Sequence, residues 1–230
     1  MYELYIGNRN YSSWSLRPWL LMRELGIPFA EHLVPFEPGS SWAKFRAFSP
    51  TGRVPCLVDG DTVVWDSLAI TEYLAERHPG VWPADARARA FARCAAAEMH
   101  AGFVALRNAC SMTCGQRVRL HETTSELQRD LDRLDELWSE GLRRYGGPFL
   151  AAPAFTAADA FFAPVAFRIR TYGLALGNAA AAYALRLLDL EGMREWDQAA
   201  LAEPWREESH EIEVRAAGTV LEDLRAPVGR

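Results

Sequence analysis

The sequence predicts two unlike halves: an α/β domain over residues 1–78 and an all-α helical bundle over residues 86–230. Three observations predict it. Short β-rich runs recur before residue 66, separated by turn residues. From Ala86 onward those runs vanish and apolar positions recur at helical spacing. Between the two stands His78-Pro79-Gly80, a stop signal, followed by a linker over 81–85.

Residues 2–6 alternate and are rich in β-formers, which predicts a strand. A polar loop follows over 7–13. Ser15 then precedes Leu16, Trp19, Leu20, Met22 and Leu25, spaced as one face of a helix that Gly26 stops. Residues 29–34 read as a second strand, and 35–41 as a loop before a short, poor helix ending at Phe48. After the Ser49-Pro50-Thr51-Gly52 turn, 54–58 and 62–65 form a hairpin around Asp59-Gly60-Asp61. Asp66 caps a helix with Leu68, Ile70, Tyr73 and Leu74 on its apolar face. In the second half the predicted helices are 87–113, 123–145, 156–171, 178–189 and 192–202. The stretch 203–230 is polar, with weak periodicity.

Bulk composition narrows the function. Half of the 230 residues are apolar, enough for a sizeable core. No apolar run approaches 18 residues, so no membrane span is expected. The N-terminus lacks a basic region followed by an apolar one, which points to the cytosol. A net charge of −5 disfavours nucleic acid as a partner. The four cysteines do not repeat a CxxC pair, so no metal site is expected. Cys110 and Cys114, four apart on a helix, read as two core thiols rather than a redox pair.

Three short motifs carry chemistry. Val54-Pro55 opens a strand, where proline's missing N–H is tolerated. It is either an ordinary trans start or a cis bond that turns Val54's N–H and C=O toward an extended peptide. Asp66-Ser67 sits at a helix N-terminus. Either residue serves as a cap, and the same place suits a carboxylate held by backbone N–H groups and the Ser67 hydroxyl. An acidic Asp66 meets an ammonium group, and one end of a γ-glutamyl group carries both charges. The loop 10–17 offers serine hydroxyls at a helix start, either as caps or as donors to a thiolate. A free thiol has a pKa of about 8.5, and such sites lower it by one or two units. Two units amount to about 2.7 kcal/mol.

Taken together, Ser12-Ser13-Trp14-Ser15-Leu16-Arg17, Pro50-Thr51-Gly52-Arg53-Val54-Pro55 and Asp66-Ser67-Leu68-Ala69-Ile70-Thr71-Glu72-Tyr73-Leu74 resemble the cytosolic glutathione transferases. The serine loop looks like that of the zeta class, which includes maleylacetoacetate isomerases. The resemblance implies a thioredoxin-like first domain, a helical second domain and glutathione as co-substrate. It implies that Val54 and Pro55 hold the cysteinyl backbone, that Asp66 and Ser67 hold the γ-glutamyl end, and that Ser12, with Ser13 second, activates the thiol. Arg53 falls where a residue often contacts the glycine end; a solvated surface arginine is the other reading. Trp14 stands where the zeta class has cysteine, which puts isomerase activity in doubt and reshapes the acceptor pocket. In the helical half, Thr156 and Asp159 match the family's capping box, a structural device. Met99, Phe103 and Arg107 follow one helical stripe and are expected to line the acceptor site, with core packing the alternative for Met99 and Phe103. Arg107 is expected to meet an acidic acceptor or a carboxylate such as Glu98.

The implied reaction is attack of the glutathione thiolate on a small electrophile, in a homodimer with Asp66 near the interface. A glutathione-dependent isomerase and a non-catalytic interaction module of the same architecture are the alternatives. A reductase or peroxidase usually wants a cysteine in the 12–15 loop, where this chain has none.

Overall fold

Hydrophobic alternation and turn chemistry build the first sheet much as the sequence indicates. The computed structural model describes residues 1–227. Strand β1 (Tyr2–Ile6) is followed by helix α1 (Ser13–Glu24), strand β2 (Phe29–Leu33) and a single helical turn, α2 (Trp42–Phe45). Strands β3 (Cys56–Asp59) and β4 (Thr62–Trp65) then lead into helix α3 (Ser67–Ala75). The sheet order is β2-β1-β3-β4, with β1 parallel to β2 and antiparallel to β3. Gly26, at φ +63, closes α1, with the Ile27 N–H returning to the Met22 carbonyl. Gly60, at φ +58, makes the two-residue hairpin turn between Asp59 and Thr62.

Helices dominate the second half: α4 (Ala86–Ala101), α5 (Val104–Ala109), α6 (Ser125–Tyr145), α7 (Ala157–Tyr172), α8 (Asn178–Leu188), α9 (Glu191–Ala202) and α10 (Glu208–Ala217). Helix α7 is buried along most of its length and packs against α1, α4 and α8. Its capping box forms as the sequence indicates, with Thr156 and Asp159 bonded reciprocally. Asp159 also accepts from the Leu150 N–H and the Tyr183 hydroxyl. Trp138, on α6, sits edge-on to Phe162 and Tyr183 in the same core.

Three features depart from the sequence expectation. The single helix expected over 87–113 is two, broken at Gly102 and Phe103, where Phe103 takes a left-handed φ of +52. The helical half also carries an antiparallel ribbon of β5 (Gln116–Leu120) and β6 (Gly218–Asp223). Finally, the polar stretch from 203, where no element is predicted, holds α10 and β6 between irregular segments; its last residues, 228–230, lie outside the described residues. Cys110 and Cys114 accordingly do not share a helix. Cys110 caps α5 and Cys114 precedes β5, both buried and free. Burial pushes the Cys110 thiol up to about 12, so it is inert at neutral pH.

Candidate functional site

The serine loop is held from both halves of the chain. Asn10 accepts from the Cys114 and Gly115 N–H groups through Oδ1 and donates from Nδ2 to the Thr113 hydroxyl. Glu203 accepts the Arg9 and Asn10 N–H groups, and Trp196 donates to the Arg9 carbonyl. Tyr11 donates to Glu211 at 2.6 Å, and Arg225 ties both to Asp223 on β6. Burial pushes the Glu211 carboxyl up, but hydrogen bonds from Arg225 and Tyr11 outweigh it and leave the group below its ordinary value. A loop fixed this way presents its serines at a set height above the sheet.

Two neighbouring cavities open beside it. One, of about 610 Å³, is lined by Val54, Pro55, Asp66, Ser67, Trp14, Arg53 and Arg107. The other, of about 490 Å³, shares Trp14, Arg53, Val54 and Arg107 and adds Ser12, Ser13, Arg168 and His210. Ser12, Ser13, Arg53, Val54, Pro55, Asp66 and Ser67, the residues the sequence singles out for glutathione, each line one cavity or the other.

Val54-Pro55 is cis and stands just ahead of the β3 ladder, which begins at Cys56. Across the cavity, Asp66 accepts from the Leu68 N–H at 2.8 Å and caps α3. Its φ of +75 is costly for a residue with a Cβ, on the order of 1–3 kcal/mol. Ser67 is fully buried, and its hydroxyl has no hydrogen-bond partner among the described residues. The α3 N-terminus and the unsatisfied Ser67 hydroxyl together offer hydrogen-bond donors to an anion. His100 stands 3.6 Å from the Asp66 carboxylate and edge-on to Trp14. Burial lowers its pKa against the pull of Asp66.

At the serine loop, Ser12 is buried and donates to Ser15 Oγ at 2.7 Å, and Ser15 Oγ accepts the Gly7 N–H at 3.1 Å. Ser13, partly exposed, is the first residue of α1. Trp14 lies against two guanidinium groups, Arg17 at 4.2 Å and Arg107 at 4.7 Å from its ring.

The stripe of Met99, Phe103 and Arg107 does not survive the break at Gly102. Met99 and Phe103 join the core and line neither cavity. Only Arg107, on the far side of the break, reaches the site, where it donates to the His100 carbonyl. Glu98 is not its partner, because Arg133 takes that carboxylate bidentately. Sequence reasoning missed Arg168, which lines the second cavity, and Arg17, which lies buried under Trp14. Each is a cation within an otherwise apolar helical run, and that is the signal that marks them.

The comparisons with known proteins agree with the fold. A family model described as the glutathione S-transferase N-terminal domain matches residues 11–77. A zeta-class glutathione S-transferase of Euphorbia esula is 31% identical over 124 residues, which is 53% of this chain and 55% of that protein. A dichloromethane dehalogenase of Methylorubrum extorquens is 41% identical over 61 residues, 26% of this chain and 21% of that one. The chain thus spans only about a fifth to about half of the length of these two relatives. Among solved structures, a Burkholderia glutathione transferase homologue with bound glutathione superposes with a TM-score of 0.65 at 22% identity, covering 86% of this chain and 97% of that one. A thioredoxin-like sheet joined to a helical half is the glutathione transferase architecture. Residues 11–77 match the N-terminal domain of the glutathione S-transferases, and the chain as a whole shares their fold.

Proposed function

We propose that the chain binds glutathione in the larger cavity and catalyses attack of its thiolate on a small electrophile. The observation that carries this reading is Ser67: a fully buried hydroxyl without a partner, at the N-terminus of α3, opposite Val54. The γ-glutamyl carboxylate would take the Ser67 hydroxyl and the α3 N–H groups, and its ammonium would meet Asp66. Val54's backbone would pair with the cysteinyl residue, and Arg53 would meet the glycine carboxylate. Titration calorimetry with glutathione tests it. Binding is expected, weakened by about tenfold in Ser67→Ala. No heat at millimolar glutathione overturns it.

The thiol would be activated at the serine loop. If Ser12 turns its hydroxyl to the sulfur, Ser15 can donate back to Ser12 Oγ while still accepting from Gly7. That reversal uses both hydroxyl protons, whereas the resting arrangement leaves the Ser15 proton without an acceptor among the described residues. The thiol proton leaves to solvent. The S–C bond then forms as the leaving group departs with its electron pair. Trp14 in place of the zeta-class cysteine favours transfer over isomerisation.

A homodimer through β4 and α3 is part of the same reading. Val63 and Trp65 are exposed there and border a shallow apolar depression with Leu68 and Ala69. Sedimentation at micromolar concentration should give twice the chain mass; a single-chain mass overturns it. A cytoplasmic setting accords with four free cysteines.

A further inference from the structure

Resting on the glutathione reading, we propose that the electrophile accepted by the smaller cavity carries a carboxylate or similar anionic group, bound between Arg107 and Arg168 beside Trp14.

Charge is the first ground. The chain has 30 acidic residues and a net charge of −5. Yet this cavity is lined by Arg53, Arg107, Arg168 and His210, and by no aspartate or glutamate. None of the three arginines has a carboxylate within ion-pair distance among the described residues, while Arg133, Arg170 and Arg225 elsewhere each hold one or two. Like charges gathered without a counter-charge are unfavourable unless something external supplies one.

Geometry is the second. Arg168 is buried and spends Nε on the Cys110 carbonyl at 2.8 Å and Nη1 on the Pro164 carbonyl at 3.3 Å. Those bonds fix the guanidinium plane and leave Nη2 without a hydrogen bond among the described residues. Arg107 is similarly steered by the His100 carbonyl and the Trp14 ring. Beneath Trp14, Arg17 is buried with Nε and Nη1 unpartnered, adding positive potential from below. Burial first, then Arg168 and Arg107, pull Arg17 down to about 9, which still leaves it charged at neutral pH.

Glutathione does not account for these groups. Its γ-glutamyl carboxylate belongs with Ser67 and its glycine carboxylate with Arg53, both in the larger cavity. Arg168 lines only the smaller one. The anion it awaits is therefore on the second substrate.

The test uses two glutathione conjugates that differ at one group, S-(4-carboxybenzyl)glutathione and S-(4-methylbenzyl)glutathione, titrated calorimetrically against the whole protein beside glutathione itself. The carboxylate conjugate should bind at least about tenfold more tightly than the methyl one. That ratio should collapse in Arg168→Gln and shrink in Arg107→Gln. The ratio cancels whatever either variant does to the shared glutathione moiety. Arg107, half-buried, keeps the test open where loss of buried Arg168 unfolds the chain. Equal affinities in the unaltered protein, or a ratio unmoved in a folded variant, overturn the proposal. Failure of glutathione and both conjugates to bind removes the glutathione reading and this inference with it. Glutathione binding with equal conjugate affinities removes this inference alone.

Discussion

Replacing Asp159 by alanine is expected to lower folding stability by about 3–5 kcal/mol, measured by urea unfolding. The side chain is fully buried and accepts four hydrogen bonds: from the Leu150 N–H at 2.9 Å, the Tyr183 hydroxyl at 2.6 Å, and the Thr156 N–H and hydroxyl at 2.8 and 3.1 Å. Alanine leaves four donors without acceptors in a place water does not reach, at roughly 1 kcal/mol or more each. It also removes the box that starts α7, the helix against which α1 and α4 pack. Burial pushes the carboxyl upward, and the four donors oppose that push. A loss below about 1 kcal/mol would show that these bonds add little beyond what solvent offers.

Ser12→Ala is expected to have the largest effect on chemistry. Without its hydroxyl the bound thiol should titrate about one to two pH units higher, followed by thiolate absorbance. With the bound thiol returned to about 8.5, the thiolate fraction at pH 7 falls by roughly eightfold for a one-unit shift and roughly 25-fold for a two-unit shift, and kcat/KM with it. Ser15→Ala should give a smaller shift in the same direction, because Ser12 keeps its proton but loses the back-donor. An unchanged titration in Ser12→Ala with a shift in Ser13→Ala would move the activating role to Ser13.

Much of the first half is legible in the sequence because its signals are local. The Asp59-Gly60 turn, the apolar face of α1 and the Asp66 cap each lie within a few residues of the structure they specify. The ribbon of β5 and β6 is different. Val118 and Leu120 do alternate with arginines, but their partner strand lies about a hundred residues on, and pairing at that distance leaves no local trace. The break at Gly102 and Phe103 matters most for the site. A left-handed residue there rotates everything beyond it, so the stripe that seemed to run through Met99, Phe103 and Arg107 delivers only Arg107. Ser67's position was legible; its unsatisfied hydroxyl was not, because satisfaction is a property of packed neighbours.

The anchoring of the serine loop bears on how such chains can be shuffled. Asn10 is bonded to residues 113–115, and the Arg9 and Asn10 amides close on Glu203. A recombinant that joined residues 1–78 to another relative's helical half would inherit the sheet and its cavity-lining residues but not the struts that hold its serines. On the proposed reading, crossover points near residue 80 would pass on glutathione affinity without thiol activation, because the struts that position the serines lie in the helical half.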